Sequence, residues 1–271
     1  MKSIDLQEYY TEIEYGEFEI EDMNEYGAIK ALNSSSLKQG DRTPLHIDAA
    51  LSGRIKYTKK EFDFGSEFHY MLFEPEKFKQ LYYISKQHLG KKTKADEAAL
   101  KKELPYNGGK IRIDLREGEA MKRMIDSLYA HPGIRALIEA LGVIEKTLVW
   151  KDSDFELNCK GRFDKLIHND YIVDLKSTKD ACETYFPKDF TRFGYALQAA
   201  FYLDGYRALY PDSASMEFAF IAIDKQEPYL PELYEVSEKT INEGRSKYKN
   251  YIKNYIDYKN NPDILYTSKV L

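Results

Sequence analysis

Two charged side chains lie inside an otherwise apolar stretch, Tyr-Ile-Val-Asp-Leu-Lys-Ser-Thr, at residues 171–178. The apolar residues favour a buried β-strand, in which an unpaired charge is costly. Because side chains alternate along a strand, Asp174 and Lys176 share one face, while Val173 and Leu175 point to the other. The pattern therefore predicts a strand that presents an aspartate and a lysine side by side.

A second aspartate comes from the preceding predicted strand. If residues 168–170 form a three-residue turn, Ile167 pairs with Tyr171 and Asp164 lies opposite Asp174; a two-residue turn would shift this pairing by one. Like charges directly opposite each other destabilise a strand pair, whereas a divalent cation between them would reverse that effect. The alternative is a surface hairpin with scattered charges, in which Asp174 only forms a salt bridge with the neighbouring lysine.

With such a cation, the site would suit hydrolysis of a phosphate ester. Two carboxylates and a nearby backbone carbonyl are ligands that Mg²⁺ or Mn²⁺ accepts. Lys176 beside them could orient or deprotonate a water molecule, or stabilise negative charge on a phosphate.

The surrounding elements would position these residues in an α/β fold. Short polar turns between three consecutive strands predict an antiparallel meander, and helical periodicity precedes and follows it. We therefore expect a mixed central sheet flanked by helices. The predicted strands are 145–151, 155–167, 171–178 and 216–224, and helices are predicted at 195–210 and 238–259.

Composition excludes several classes of protein. The 271 residues are 43% hydrophobic and 31% charged, which is typical of a soluble globular domain. The sequence lacks an apolar run of membrane-spanning length and a recognisable secretion signal, so we expect no membrane association. Two cysteines are too few for a disulfide framework or a four-cysteine cluster, which favours a reducing cytosol.

Charge is unevenly distributed along the chain. Residues 1–26 carry nine acidic side chains and one lysine, and the remainder carries 39 basic and 36 acidic residues. We interpret residues 1–30 as an acidic N-terminal segment that is solvated and partly mobile; the alternative is a docking segment or a mask over a basic groove. A lysine-rich stretch at 84–113 predicts an exposed excursion within a single domain at 31–271.

Several motifs, in order, resemble the PD-(D/E)XK nuclease superfamily. The stretch from Gly161 to Thr178 is similar to its aspartate strand followed by Asp-x-Lys, and Gln198 and Tyr202 match its Gln-x-x-x-Tyr helix. Gly65 and His69 match its Gly-x-x-x-His motif. A serine-rich start near Ser35 completes the resemblance, which extends from about residue 31 to about residue 225. The most similar branch is that of RecE-type exonucleases (exonuclease VIII) of phages and prophages, within a group that also includes RecB-type nuclease domains.

The resemblance implies a restriction-endonuclease-like core with the order α-β-β-β-α-β and assigns roles to residues. Asp164, Asp174 and the Leu175 carbonyl would hold Mg²⁺, which Mn²⁺ could replace, with His69 assisting. Lys176 would act beside them in catalysis. DNA contacts would come from Ser35, Ser177, Thr178, Gln198 and Tyr202. Taken alone, His69 is also typical of a histidine with a structural role. The iron–sulfur branch of the superfamily is disfavoured because its four cysteines are absent.

The resemblance also implies an activity and partners. We expect an exodeoxyribonuclease that resects the ends of double-stranded DNA from 5′ to 3′, leaving single strands for a RecT-like annealing protein. A ring-shaped homo-oligomer in a bacterial cytosol, encoded by a phage or prophage, would fit that role. Two alternatives remain: a structure-specific endonuclease of the same superfamily, or a catalytically silent DNA-binding accessory protein.

Overall fold

A six-stranded sheet forms the centre of the protein in the computed structural model. The structure describes residues 5–20, 23–55, 59–86, 93, 98, 108–213 and 215–263, and of residues 59–63 only the backbone. The strands of the sheet are β1 (Gly16–Phe18), β4 (Val143–Lys151), β5 (Asn158–Ile167), β6 (Tyr171–Thr178), β7 (Glu217–Asp224) and β8 (Pro231–Glu235). They lie side by side in that order, and all neighbours are antiparallel except the parallel pair β6–β7.

Helices cover both faces of this sheet. Across the described residues they are α1 (Met23–Ala28), α2 (Ser34–Leu37), α3 (Pro44–Leu51), α4 (Lys59–Phe73), α5 (Pro75–Leu81), α6 (Leu115–Ala130), α7 (Pro132–Glu139), α8 (Phe186–Arg192), α9 (Tyr195–Leu209) and α10 (Glu238–Asn260). The order α7-β4-β5-β6-α9-β7 confirms the predicted restriction-endonuclease-like core and its α/β class. Among the described residues, no helix is long and apolar enough to span a membrane.

Two hydrophobic cores result, one on each face of the sheet. On one face, Ile172 packs with residues of α9 and α10, such as Phe201 and Tyr248. On the other face, Val173 and Leu175 pack with residues of α4, α6 and α7. The predicted alternation along β6 is therefore confirmed, and it directs Asp174 towards α9.

Local sequence signals set the ends of the helices around these cores. Pro75 and Pro132 occupy first-turn positions of α5 and α7, where proline loses no hydrogen bond. Asp114 and Ser237 accept backbone N–H groups as N-caps of α6 and α10. The inner face of α10 buries Ile241, Tyr248, Ile252 and Tyr255, as its helical spacing predicts.

The described part of the N-terminal segment packs on the domain, although most of its acidic side chains are exposed, as the interpretation of a solvated start predicts. Leu6 and Tyr9 are buried, and β1 pairs with the edge of β4. The Tyr15 hydroxyl lies 2.8 Å from Oδ1 of Asn158, and the Asn158 amide donates to the Thr11 carbonyl at 2.7 Å. Burial of apolar side chains and strand pairing at the sheet edge thus outweigh the repulsion expected within an acidic segment.

The lysine-rich excursion predicted at 84–113 lies mostly outside the described residues. Its flanks are described: β2 (Tyr82–Ile84) and β3 (Ile111–Ile113) pair in parallel as a small separate sheet. The backbone N–H of Ser85 continues this pairing by donating to the Ile113 carbonyl at 2.9 Å. The two described ends of this stretch therefore lie side by side.

Candidate metal centre and its surroundings

The β5–β6 hairpin has the predicted register near its turn. Ile167 pairs with Tyr171, and the ladder continues to the pair Lys165–Val173. The next residues by count are Asp164 and Asp174, and the regular ladder stops before them. A side chain continues the connection, because Oδ2 of Asp164 accepts the N–H of Leu175 at 2.8 Å. The candidate site lies where these two strands separate.

Strand β4 also departs from regular geometry beside the point where β5 and β6 separate. Ile144 pairs with Lys165 and Lys146 with Phe163, and the skipped residue between them, Glu145, has φ of +52°. A glutamate in this left-handed region costs free energy, on the order of 1–3 kcal/mol, and such positions cluster at functional sites. Glu145 and Asp164 are thus the pair at which both strands depart from regular geometry.

His69 of α4 joins these two carboxylates. Its Nδ1 lies 2.9 Å from Oε1 of Glu145, and its Nε2 lies 2.9 Å from Oδ2 of Asp164. The other oxygen of Glu145 accepts Nε of Arg162 at 2.6 Å, which fixes the carboxylate orientation. Within the described residues, His69, Glu145 and Asp164 form the one group of three whose donor atoms lie close enough together to hold a metal ion.

Electrostatics of this cluster favour a bound cation. Burial by itself lowers the pKa of His69, but the charges and hydrogen bonds of Asp164 and Glu145 raise it to about 10. Burial would raise the pKa of Asp164, yet His69, Lys176 and the Leu175 N–H hold it below its usual range. The imidazole therefore carries a proton at neutral pH, in a position where a divalent cation would satisfy the same carboxylates.

Asp174 lies outside this three-residue group. Oδ1 of Asp174 accepts the side-chain amide of Gln198, and the ammonium of Lys176 lies 2.5 Å from Oδ2. Oδ2 is buried, and its contact is with the charged ammonium of Lys176. A buried carboxylate oxygen of this kind fits a metal ligand, because a divalent cation would stabilise its negative charge.

Asp174 and Lys176 each shift the pKa of the other. Burial holds the pKa of Asp174 above its usual range, although Lys176 opposes the shift. Burial would lower the pKa of Lys176, but the charges of Asp174 and Asp164 hold it above its usual value. Lys176 is therefore a cation, which suits it to orient water and offset phosphate charge rather than to remove a proton.

Gln198 connects the site to a second lysine. Its Oε1 accepts the ammonium of Lys38 at 2.9 Å, while its amide donates to Asp174. The same ammonium lies 5.3 Å from the centre of the Tyr195 ring, and that of Lys176 lies 5.0 Å from it. Two lysine side chains thus lie against one aromatic ring beside Asp174, and burial together with the charge of Lys176 lowers the pKa of Lys38 to about 7.

The remaining predicted DNA contacts have different environments. Tyr202 is buried, stacks on Phe163 at 4.4 Å and has a side-chain hydrogen bond with Ser34. Ser35 is exposed on α2, and Ser177 is half-buried. The Thr178 hydroxyl donates to Asp189 of α8 at 3.1 Å. For Gln198, Tyr202 and these hydroxyls, contact with DNA stays a prediction.

Sequence reasoning missed Glu145 and Lys38. Glu145 lies 76 positions from His69 in the sequence, and Lys38 lies 160 positions from Gln198. Lys38 lies in the serine-rich start near Ser35, but nothing in that pattern assigns it a contact with Gln198. The positive φ of Glu145 is a property of the folded chain, so the residue type alone does not predict it.

The fold and the site together define a domain of the PD-(D/E)XK type, which confirms the resemblance to that superfamily. The chain belongs to the family described as the PDDEXK-like domain of unknown function (DUF3799), whose model matches residues 33–263. The RecE-type assignment stays a prediction.

Comparison with solved structures gives the same fold. The chain is similar to a crystal structure from Eubacterium rectale described as a "putative exonuclease", with a TM-score of 0.59 and 15% sequence identity. The likeness covers 89% of this chain and 84% of that chain. A comparison with curated proteins gives no match.

Replacing Glu145 with glutamine should weaken Mn²⁺ binding by at least about 10- to 100-fold, because the cluster would lose one of its charged oxygens. Isothermal titration with Mn²⁺ measures this. Replacing Glu156 with glutamine is the matched control, since that exposed glutamate pairs with exposed Lys151. Equal affinity in the Glu145→Gln variant and the wild type would exclude Glu145 as a ligand.

Mn²⁺ affinity should rise with pH. The pKa of His69 is raised from 6.5 to about 10, so metal binding must displace a proton throughout that window. Displacing one proton predicts affinity that increases about tenfold per pH unit until the pH approaches 10. Titrations at three pH values between 6.5 and 8.5 measure the slope, and His69→Gln should flatten it. A flat profile for the wild type would contradict this account of His69.

Proposed function

We propose that the protein is a metal-dependent exodeoxyribonuclease that resects the ends of double-stranded DNA, with 5′-to-3′ polarity, and exposes single strands for annealing. The observation that carries this proposal is the arrangement of His69, Glu145 and Asp164 around one point, with Asp174 and Lys176 on the adjacent strand. Membership of the PDDEXK-like family supports it. The presence of acid, acid and lysine together favours an enzyme over a silent DNA-binding protein.

The donor set fits Mg²⁺, with Mn²⁺ as a substitute that accepts imidazole more readily. His69, Glu145, Asp164 and Asp174 would hold the ion, with the Leu175 carbonyl as the further ligand that the family resemblance implies. When bound, the ion would polarise the phosphodiester and stabilise the leaving oxygen.

The protein's own groups would position the reactants. Lys176 would orient the water whose oxygen forms the new bond to phosphorus, while one phosphorus–oxygen ester bond breaks. Its positive charge would also offset negative charge on the phosphate. Gln198 would hold Asp174 in place, since its amide donates to that carboxylate from α9.

Linear and covalently closed circular duplex DNA, incubated with Mg²⁺, distinguish an exonuclease from an endonuclease. We expect nucleotides to be released from linear DNA while circular DNA stays intact. A label at the 5′ end should be released before a label at the 3′ end. Equal cutting of circular DNA would favour the structure-specific endonuclease instead.

The same proposal includes a setting and partners. A processive exonuclease benefits from enclosing its substrate, so we propose a homo-oligomer, ring-shaped, that acts in a bacterial cytosol beside a RecT-like annealing protein and is encoded by a phage or prophage. These features rest on the resemblance to RecE-type exonucleases. Light scattering of the purified protein tests the oligomer, because a monomeric mass at micromolar concentration would contradict it.

A further inference from the structure

An exposed aromatic side chain lies between α8 and α9, just outside the candidate site. Phe193 is 44% exposed, and the guanidinium of Arg192 lies 5.2 Å from the centre of its ring. Exposing a phenylalanine forgoes the stabilisation that burial would give. Arg192 thus places a guanidinium, which can contact a phosphate, directly beside an exposed ring.

This residue is the outer end of a path that leads to Lys176. The centres of the Phe193 and Tyr195 rings are 5.8 Å apart. Tyr195 in turn lies beneath the ammonium groups of Lys38 and Lys176, at 5.3 Å and 5.0 Å. We call Lys38, Arg192, Phe193 and Tyr195 the aromatic strip. It runs from Arg192 and Phe193 at the surface, through the Tyr195 ring, to Lys38 and Lys176.

The backbone holds this strip in a fixed position. Gly194, with φ of +63°, is the N-cap of α9, and a β-carbon at this position would lie 3.3 Å from Cγ of Lys38. Glycine therefore permits both the turn and the close packing of the lysine stem. Helix α8 is attached to the end of β6 because the Thr178 hydroxyl donates to Asp189.

Acidic neighbours of the strip are partly occupied by internal contacts. Asp189 accepts the Thr178 hydroxyl, and Asp180 accepts the N–H of Cys182 at 3.1 Å. Glu183 is exposed, as is Lys188 on the following helix, whose ammonium lies 4.6 Å from the Tyr185 ring. The exposed end of α8 thus offers cations and rings, while Asp189 of this helix and Asp180 before it accept hydrogen bonds from protein donors.

We propose that the aromatic strip binds unpaired nucleotides of the DNA strand whose phosphate lies at Lys176. A base would stack on Phe193, and Arg192 and Lys38 would contact backbone phosphates. The ligand is an unpaired base because stacking on Phe193 requires a free base face. Within a duplex, neighbouring bases cover that face. The inference rests on the proposed nuclease function and deepens it: the substrate end must be frayed or single-stranded before cleavage.

The test compares two DNA probes with the full-length protein in EDTA, where cleavage cannot occur. One probe is a fluorescein-labelled blunt duplex, and the other is the same duplex with a four-nucleotide single-stranded overhang. Fluorescence anisotropy should show that Phe193→Ala weakens binding of the overhang probe by about tenfold and leaves the blunt probe unchanged. Phe193→Trp, which retains a stacking face, should bind as the wild type does.

Two further variants make the result specific. Phe193→Leu keeps apolar bulk without a ring, so it should resemble Phe193→Ala if stacking is the cause. Tyr129→Ala removes an aromatic side chain of similar exposure (37%) from α6, on the other face of the sheet, and should bind as the wild type does. Thermal unfolding at the wild-type temperature would show that each variant is folded.

The experiment distinguishes a failure of this inference from a failure of the proposed nuclease function. If the wild type cleaves DNA with Mg²⁺ but Phe193→Ala binds the overhang as tightly as the wild type, the strip does not contact unpaired bases. An equal loss on both probes would also overturn the inference, because it would indicate general DNA binding. If the wild type cleaves neither probe with Mg²⁺, the proposed function and the inference that rests on it both fail.

Discussion

Asp174→Asn should reduce DNA cleavage on the order of 10³-fold while the protein stays folded. Only one oxygen is replaced, but it removes the charge that pairs with Lys176 and that would help to hold the metal. Asparagine keeps the shape of the side chain and a partner for Gln198, so the packing between β6 and α9 should persist. Release of nucleotides from linear duplex DNA, with Mg²⁺, measures the effect.

The matched control is Asp170→Asn. Asp170 is exposed in the turn of the same hairpin, so its replacement makes the same change of charge away from the site. We expect cleavage within about twofold of the wild type, since water and salt screen an exposed charge that lies away from the site. Full activity in Asp174→Asn would mean that the site has been assigned to the wrong residues.

Lys176→Met should lower cleavage by about 10²- to 10⁴-fold. Methionine retains much of the aliphatic stem but cannot orient water or offset phosphate charge. Because Asp174 and Asp164 hold the pKa of Lys176 above its usual value, the wild-type side chain is charged throughout the pH range of an ordinary assay. Cleavage rates at saturating DNA isolate this effect from any loss of DNA binding.

Lys179→Met provides the control for this variant, as Lys179 is exposed just beyond the end of β6. It should retain wild-type rates at saturating DNA. Lys176→Arg keeps the charge but changes the reach and shape of the donor, so it should recover part of the activity at most. A Lys176→Met variant as active as Lys179→Met would remove Lys176 from the proposed mechanism.

The part of the site that could be predicted from the sequence is the part encoded locally. Alternation along β6 fixed which residues face α9, and a three-residue turn fixed the pairing of Ile167 with Tyr171. The spacing of four between Gln198 and Tyr202 placed both on one side of α9, where both are buried. These features depend on neighbours in the chain, so periodicity suffices to predict them.

The part that could not be predicted depends on distant contacts and on departures from regular geometry. Glu145 enters the site because β4 deviates where it passes Asp164. The family resemblance predicted His69 in the site, but not its contact with Glu145. The prediction of a cation held between Asp164 and Asp174 assumed a regular ladder, whereas the ladder ends one pair earlier. The acidic composition of residues 1–30 likewise did not predict that β1 would pair with β4 at the edge of the sheet.

The most direct test of the account is cleavage of linear duplex DNA by the wild type and by Asp164→Asn, each with Mg²⁺ and with EDTA. Asp164 connects His69 to β6, so the account predicts nucleotide release only by the wild type and only with Mg²⁺. Cleavage that persists in EDTA, or that survives in Asp164→Asn, would contradict a metal-dependent nuclease centred on this aspartate.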